Sequence, residues 1–474
     1  MSPAPDADAR LRILVAIASF GTRNLALLEE VIRGWRSMPF DVHVVVVSDG
    51  PKDLGDGVEV VVGLPARNPW SLPFAHKPIF AANLDRYDLF AYSEDDMAIT
   101  ADHVRAFLRV TPDLAPDEIA GFLRYEVDAA GGRWFPDIHA HFHWKPESVG
   151  RRAEHVIAEL SNEHAAFYLL SRDQLARAIA SGGFLRAPYE GRYDMLCTVA
   201  TDPYTTCGFR KVVAVSALES FAIHHLSNRY AGRMGVPLAA VQEQIQALFG
   251  IAAGTLRTSR LLHTESGFGN RKWSTPYHDP ADEAVASLVP RDARTVLSVG
   301  CGWGATEARI REGGRSVTAL PLDGVVAASA AARGAEVVLG TLEEALQELE
   351  GRSFDCILIA DLLHLAPDPA KRLAQLSPFV GPGGSVVVRS PNFSSLRVLA
   401  KRALRRDELG KLGSFNECGV HPLGPASLKR YLRSAGFRVT AMRWPARSAR
   451  KSLDRSLGRW GAPHWLLQAR RLAV

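Results

Sequence analysis

The sequence predicts an α/β protein with two domains, each built on a mainly parallel sheet. Nearly continuous apolar runs alternate with helical patterns from residue 11 onward, and a second such series begins near residue 294. The length of 474 residues agrees with this, since a domain has roughly 150 residues. We place the domains at residues 10–249 and 286–474, with a connector of little periodicity at residues 250–285.

The first series predicts four strands and an early helix. Residues 24–35 carry apolar side chains at helical spacing, which favours a helix with one buried face. The strands are apolar almost throughout, as in a sheet covered on both faces. They are "LRILVAIASF" (11–20), "DVHVVVVSDG" (41–50), "GVEVVVGL" (57–64) and "YDLFAYSEDD" (87–96).

The second series repeats the pattern after the connector. "RTVLSVGCGWG" (294–304) is predicted to be a strand that runs into a glycine-rich turn, and "ATEARIREGG" to be a helix with a glycine stop. "SVTALPLD", "AEVVLG", "FDCILIAD" and "GGSVVVRSP" are predicted to be four further strands. This series is therefore a complete α/β unit.

The charge and cysteine patterns limit the class of protein. Residues 397–474 contain 18 Lys and Arg against 4 Asp and Glu, which indicates a solvated basic surface, a contact with an anionic membrane or a polyanionic substrate. No nucleic-acid-binding motif accompanies these charges, so we expect no nucleic-acid partner. The five cysteines are an odd number without a C-x-x-C motif, and the first residues do not resemble a secretory signal. We therefore expect a cytoplasmic protein, with peripheral membrane contact as an option.

The first candidate site is the acidic end of "YDLFAYSEDDMAIT" (87–100). Three adjacent acids repel each other unless a cation lies between them, so this is either a solvated turn or a cation site. Glu94 and Asp96 lie two residues apart and share a side of an extended chain, and their oxygens suit Mg²⁺ or Mn²⁺. Further polar candidates in the same half are Asp49, His76, Lys77, His224 and His225.

Residues 11–230 resemble a GT-A type nucleotide-sugar glycosyltransferase. The resemblance lies in "HKPIFAANLDRYDLFAYSEDDMAIT", "NEHAAFYLLSRDQL" and "TTCGFRKVVAVS…HHLSNRY". "SEDD" is similar to the D-x-D motif of that family, with Glu94 in place of the first Asp. The resemblance implies a nucleotide-sugar donor and a divalent metal held by Glu94, Asp96 and a late histidine, for which we choose His224 over His225. Asp49 is then expected to contact the donor.

The acceptor half is predicted less narrowly. An inverting transferase needs a carboxylate base near the acceptor hydroxyl, and Glu163, Glu190 and Asp194 are the candidates; a retaining mechanism needs no such base. The alternating His139, His141 and His143 fit a polar strand face or a metal triad, and we favour the strand face.

The second candidate site is the turn Gly300-x-Gly302-x-Gly304, which stands between a predicted strand and a predicted helix. Residues 290–474 resemble a class I S-adenosylmethionine-dependent methyltransferase. The similar blocks follow in order: "VLSVGCGWG", "FDCILIADLLHLAPDP", "LSPFVGPGGSVVVRSPN" and "SLKRYLRSAGFRV". The resemblance implies that the three glycines and Asp361 contact the cofactor. Transfer to an oxygen acceptor is helped by a base, for which His364 and His421 are the candidates and His364 is our choice; the alternative is that both histidines are structural.

This half departs from the family pattern at three places. Pro321 stands where the family has an acid for the ribose hydroxyls, and Asp323 follows two residues later. Thr341 stands where an Asp often meets the adenine, and Ser298 where the first strand often carries Asp. We take Asp323 as the substitute ribose ligand, and the alternative is a domain that binds the cofactor poorly.

The two resemblances together imply two Rossmann-like domains: a GT-A glycosyltransferase-like fold followed by a class I methyltransferase fold with a seven-stranded sheet. They imply a bifunctional transferase that glycosylates and methylates a glycan, a lipid-linked sugar or a small glycosylated metabolite. Two rivals stay open. One is a glycosyltransferase with a degenerate methyltransferase half, and the other is a cofactor-binding scaffold without turnover.

Overall fold

The computed structural model of the protein describes residues 11–138, 142–268, 272–404, 409, 412, 414–445 and 458–472. The chain divides into two compact units, Met1–Val241 and Gln242–Val474. The division lies within one helix, and the segment predicted as a connector belongs to the second unit. The α/β class predicted from the sequence is confirmed by the sheets of both units.

The central sheet of the first unit carries its candidate site. Among the described residues it has the strand order β11-β4-β1-β2-β3, in which β11 is antiparallel to β4 and the other neighbours are parallel. Two smaller sheets have the orders β6-β12-β10-β9 and β14-β8-β7-β13-β5. The strands of this unit are β1 (Arg12–Ser19), β2 (Asp41–Ser48), β3 (Val58–Val62), β4 (Leu89–Glu94), β5 (Met97–Ala98), β6 (Glu118–Ala120), β7 (Leu123–Val127), β8 (Arg133–Phe135), β9 (Gly150–Arg152), β10 (His155–Glu159), β11 (Phe167–Ser171), β12 (Arg210–Ala214), β13 (Ala222–His225) and β14 (Val236–Pro237).

The predicted seven-stranded sheet of the second unit is confirmed. Its described strands have the order β17-β16-β15-β18-β19-β21-β20, and β21 is antiparallel to both of its neighbours. The strands are β15 (Thr295–Cys301), β16 (Ser316–Pro321), β17 (Glu336–Val337), β18 (Phe354–Ala360), β19 (Val380–Pro391), β20 (Phe437–Arg443) and β21 (His464–Arg471).

Helices connect many of the consecutive strands, although β2 and β3, β7 and β8, and β9 and β10 are joined without one. The predicted first helix is present with a shift of one residue, and its buried side chains include Leu28, Val31, Ile32 and Trp35, as the apolar spacing predicts. The helices are α1 (Leu25–Arg36), α2 (His76–Ala82), α3 (Ala101–Val110), α4 (Arg172–Ala180), α5 (Met195–Thr205), α6 (Leu238–Ala252), α7 (Glu283–Ala286), α8 (Ala305–Arg311), α9 (Val326–Ala332), α10 (Leu342–Glu348), α11 (Pro369–Leu376), α12 (Leu396–Ala403), α13 (Phe415–Cys418) and α14 (Pro425–Ser434).

The strand register aligns the carboxyl ends of β1, β2 and β4. Ser19 is paired with Ser48, and Ala18 is paired with Glu94. The acids that follow β4 therefore lie at the same sheet edge as the loops that follow β1 and β2. In the part of the chain that the structure describes, no helix has both the length and the apolar character needed to cross a membrane.

Two side chains singled out in the first half, His76 and Lys77, belong to the core rather than to the acidic edge. His76 is fully buried and bonds to the Tyr168 hydroxyl. The Lys77 ammonium forms a buried ion pair with Asp202, which also accepts a hydrogen bond of 2.6 Å from the Tyr189 hydroxyl. These polar groups satisfy one another and hold α2 against α5.

We predict that Lys77→Met lowers the stability of the protein by about 3–5 kcal/mol, because it leaves the Asp202 carboxylate buried without its cation. Lys77→Met combined with Asp202→Asn is expected to regain at least half of this loss, since the uncompensated charge is gone. Urea unfolding monitored by fluorescence measures both variants. Equal midpoints for wild type and Lys77→Met would contradict the structural role of the pair.

Candidate functional sites

The first unit contains an open cavity of about 1150 Å³ next to the end of β4. All three acids that follow the apolar part of β4, Glu94, Asp95 and Asp96, line it. The short step from β4 to β5 turns the chain at Asp95 and Asp96, so both carboxylates face the cavity rather than opposite sides of a continuing strand. The sequence predicts only Glu94 and Asp96 on one side, and the turn adds Asp95.

The three acids differ in their surroundings. Asp95 accepts a hydrogen bond of 2.8 Å from the Asn24 side chain. Burial and then the nearby Asp96 charge raise the pKa of Glu94 to about 7. Burial alone would also raise the pKa of Asp96, but the hydrogen bond and charge of His225 outweigh it and lower that pKa. Bonded partners therefore relieve the mutual repulsion at Asp95 and Asp96, whereas at Glu94 the repulsion persists and raises the pKa.

His225, not the predicted His224, is the histidine beside the acids. Its Nε2 lies 3.1 Å from Asp96 Oδ2, and its Nδ1 lies 2.6 Å from Glu126 Oε1. Although burial opposes it, these two carboxylates raise the pKa of His225 to about 9. His224 points to the other face of β13, where its ring stacks on Tyr125 at 5.1 Å and its Nε2 bonds to Asn228. Alternation along the strand decides between the two.

The predicted metal ligands do not form a ready ligand cluster. Within the described ranges, no group of three or more His, Cys, Asp or Glu side chains is arranged to hold a metal ion. Asp96 is bonded to an imidazolium, and a protonated ring has no lone pair to offer a metal. The residues present in this conformation therefore do not fit the divalent metal that the resemblance implies.

The three carboxylates predicted as catalytic bases lie outside the lining of this cavity. Glu163 pairs with Arg192 at 2.6 Å and accepts from the Tyr193 hydroxyl. Asp194 caps α5 by accepting from the Cys197 amide at 3.0 Å, and Glu190 is exposed. The structure thus assigns Glu163 and Asp194 structural contacts, and the acids that face the cavity are those after β4.

The remaining polar candidates of this unit, among the described residues, do not line the cavity. Asp49 lies at the aligned sheet edge, where it accepts from the Gly21 amide at 2.8 Å, but it does not line the cavity. His143 is buried, and His139 and His141 lie outside the described residues. Arg124, which sequence reasoning missed, does line the cavity. It sits within the short run "FLRYE" without a motif, so only its burial could have revealed it.

The second unit forms the predicted strand, glycine turn and helix. β15 ends at Cys301, and α8 begins at Ala305 after Gly304 with a φ of 85°. Gly300 also has a positive φ, 82°, which a side chain would strain. An open cleft of about 520 Å³ lies beside this turn and is lined by all three glycines.

A segment of the same unit, residues 257–278, lies on this turn and on the neighbouring strand ends; we call it the covering segment, of which residues 269–271 are outside the described chain. The Leu261 amide donates to the Leu322 carbonyl after β16, and the Leu342 amide at the start of α10 donates to the Leu261 carbonyl, both at 3.0 Å. Leu261 is buried among Leu320 and Leu342. The covering segment thus bonds to both places where the ribose and adenine contacts are expected.

The covering segment also contacts the glycine turn directly. The Trp303 amide donates to the Tyr277 carbonyl at 2.9 Å, and a Cβ on Gly302 would collide with that same carbonyl oxygen. The Tyr277 ring is buried in the core beside Val299 and Leu322. The close approach that Gly302 permits is therefore made by the chain itself.

The acids predicted to contact the cofactor have protein partners. Asp323 is buried and accepts from the amides of Val325 and Val326, both at 2.9 Å, before α9. Asp361 is buried against Arg389 at 2.5 Å. Burial would raise the pKa of Asp361, but the guanidinium outweighs it and lowers that pKa. In this conformation both predicted cofactor acids are therefore already bonded within the protein.

The histidines proposed as bases of the second unit are held in the fold. His364 is fully buried, and its Nε2 donates to the Trp273 carbonyl at 2.7 Å. Burial lowers its pKa. His421 stacks on Phe415 and bonds to the Pro367 carbonyl at 3.0 Å. Neither lines the described cleft, so both histidines stabilise loops here.

Comparison with known proteins gives similarities for the second half of the chain. Residues 274–442 match the family described as a methyltransferase domain. An uncharacterized methyltransferase of Mycobacterium tuberculosis is 31% identical over 153 residues, which are 32% of this chain and 72% of that protein. A ubiquinone biosynthesis O-methyltransferase of Ralstonia nicotianae is 27% identical over 188 residues, 38% of this chain and 75% of that protein. A solved S-adenosylmethionine dependent methyltransferase from Mesorhizobium loti is 20% identical, with 40% of this chain and 96% of that chain covered and a TM-score of 0.31.

A pH dependence of stability follows from the residue that supports Glu163. The Lys211 ammonium is buried and donates to the Glu163 carbonyl at 3.0 Å, and burial lowers its pKa to about 7. An unfolded lysine has a pKa of about 10.4, so between about pH 7 and 10 the unfolded chain binds more protons and stability rises with pH. We predict that Lys211→Met removes this rise. Urea midpoints at three pH values in this window measure it, and an unchanged slope in the variant would contradict it.

Proposed function

Since the chain belongs to the methyltransferase family through residues 274–442, we propose that its second unit is an S-adenosylmethionine-dependent methyltransferase. The observation that carries this proposal is the strand, glycine turn and helix from β15 to α8 within the seven-stranded sheet. The cofactor would supply an activated methyl group, and the chain would bind and orient the acceptor. Because the covering segment already bonds to the glycine turn, to the chain after β16 and to the start of α10, we propose that this segment moves when the cofactor binds.

The rival for this unit is a degenerate domain that keeps the fold without the cofactor. Pro321 offers no ribose ligand, and the Asp323 carboxylate is used to cap α9. The proposal and its rival therefore differ in one measurable property, the affinity for the cofactor once the covering segment is loosened.

We predict that Leu261→Ala increases the apparent affinity for S-adenosylmethionine at least tenfold, because truncating this buried side chain favours the open state that the cofactor needs. Isothermal titration calorimetry with the cofactor and with S-adenosylhomocysteine measures it. Leu399→Ala, at a side chain that is 40% exposed, is the matched control.

Two outcomes of this titration separate the ideas. If neither the wild type nor Leu261→Ala binds the cofactor at millimolar concentration, methyl transfer is contradicted and the degenerate domain remains. If the wild type and Leu261→Ala bind it equally tightly, methyl transfer is kept and the closing role of the covering segment is contradicted.

We propose a second activity for the first unit, the transfer of a sugar from a nucleotide-sugar. The specific observation that favours it is the cavity after β4, where three acids meet a large open space at the carboxyl edge of a parallel sheet. The resemblance of residues 11–230 to GT-A enzymes supports the same assignment. The acceptor of this sugar transfer would be a glycan, a lipid-linked sugar or a small glycosylated molecule. Peripheral membrane contact is a separate proposal, which binding of the protein to anionic vesicles would test.

Metal dependence of this second activity is a separate prediction. The cavity acids have the oxygens that a divalent cation prefers, but His225 is bonded to Asp96 in this conformation. Binding of a metal would therefore have to displace an existing ion pair.

We predict slow release of sugar from at least one of UDP-, GDP- and TDP-sugars, and a loss of at least about 100-fold in Asp96→Asn, because this change removes a cavity charge and the partner of His225. Asp85→Asn, at an exposed position of the same unit, is the control. Assays with Mn²⁺ and with EDTA measure the metal requirement. No release from any donor would contradict glycosyl transfer and favour a binding scaffold.

A further inference from the structure

Arg124 is a buried cation in the cavity of the first unit. It lies on β7, and only 6% of its surface is exposed. Its Nη2 is fully buried without a hydrogen-bond partner among the described residues, and no ion pair within that part of the chain involves it. A guanidinium stays charged at any physiological pH, and a buried charge without a partner is costly. Such a group is expected to have a partner that the folded chain does not provide.

The other charged groups around the cavity have contacts of their own. Asp95 is bonded to Asn24, and Asp96 and Glu126 are bonded to His225. Glu94 lines the same cavity and attracts Arg124, but the two side chains form no ion pair. His225 and Lys211 repel Arg124, and Arg229 adds positive charge at the exposed rim. The surroundings therefore leave Arg124 with one acid nearby, Glu94, but without a bonded anion.

Strand alternation directs Arg124 toward this space. Arg124 and Glu126 lie two residues apart on β7 and share a face, as do Ile223 and His225 on the neighbouring β13. Tyr125 and His224 stack on the opposite face. The Tyr230 ring lies 6.0 Å from the guanidinium carbon and lines the same cavity. The face with Arg124 and His225 is therefore the face that lines the cavity.

We propose that Arg124 binds an oxyanion of the ligand of this cavity, with the phosphate groups of a nucleoside diphosphate as the class it takes. The forked N–H groups of a guanidinium match the oxygens of phosphate and carboxylate with two parallel hydrogen bonds. Such a ligand would lie in the open cavity of about 1150 Å³, a volume that includes the solvent at its mouth, beside Glu94. This inference rests on the proposal that the first unit takes a nucleotide-sugar.

The test compares the intact protein with Arg124→Met and Arg124→Lys. Calorimetric titrations with inorganic pyrophosphate, UDP, GDP and TDP are made in EDTA, and a parallel titration with glucuronate distinguishes a carboxylate source from a phosphate source. Arg109→Met, at an exposed position of α3, is the matched control. We expect pyrophosphate and at least one nucleoside diphosphate to bind, with affinity at least tenfold weaker in Arg124→Met and intermediate in Arg124→Lys.

A thermal melt without ligand separates binding from folding. Removing an uncompensated buried charge is expected to leave the melting temperature of Arg124→Met unchanged or raised, and only the ligand-induced shift should be lost. A lowered melting temperature in Arg124→Met with unchanged phosphate affinity would overturn the proposal in favour of a structural role, as would binding of glucuronate alone.

The outcomes also separate this inference from glycosyl transfer. Phosphate binding that depends on Arg124, without sugar release from any donor, keeps the anion site and contradicts the transferase. Sugar release that is equal in wild type and Arg124→Met keeps the transferase and contradicts the anion site.

Discussion

The carboxyl ends of parallel strands meet at one edge of a sheet, and both candidate sites depend on this constraint. In the first unit the register of β1, β2 and β4 brings Glu94 level with Ala18. In the second unit the parallel pairing of β15 with β16 and β18 places the glycine turn between the ends of those strands. Backbone groups beyond a strand end have no ladder partner, so they must bond to a loop, a side chain or a ligand. Each candidate site therefore lies where loops and side chains gather around the ends of the strands.

In the first unit the end of β4 carries mainly charged side chains. Three adjacent acids are tolerated because Asp95 and Asp96 have separate partners, Asn24 and His225, on other elements. Two other charged groups of the cavity, Glu94 and Arg124, attract each other but form no ion pair. A cavity that keeps an acid and a guanidinium apart is suited to a ligand with hydroxyls and an oxyanion. The same arrangement explains why a ready cluster for a cation is not formed there by the described residues.

In the second unit the requirement is met by backbone. Leu261 bonds both to the chain after β16 and to the start of α10, and the Tyr277 carbonyl accepts from the glycine turn. Under the proposed function these are groups that the cofactor would approach, so the covering segment would have to move first. The free energy of that movement would then be subtracted from the affinity for the cofactor. Family membership is compatible with the docked covering segment on these terms.

The sequence by itself determined the α/β class, four strands of the central sheet of the first unit, the early strands of the second unit and the glycine turn, because apolar periodicity and glycine placement are local properties of the chain. It also located the acids at the end of β4. It did not predict the two smaller sheets of the first unit. Only the tertiary structure decided which groups surround them. The choice of His225 over His224 depends on which face of β13 meets the cavity, and the position of Arg124 depends on burial by distant elements.

The difference between local sequence and tertiary structure also explains the residues that were predicted as catalytic bases but lie outside the cavity. Glu163 and Asp194 are carboxylates in a polar stretch, and nothing local shows that one pairs with Arg192 and the other caps a helix. Between the end of α6 and the start of α7, the described part of the segment predicted as a connector forms no helix or strand, and it packs on the second unit with Leu261 and Tyr277 buried. Its hydrogen bonds join residues far apart in the chain, such as Leu261 and Leu342, and such pairings are set by the packed fold and not by the local sequence.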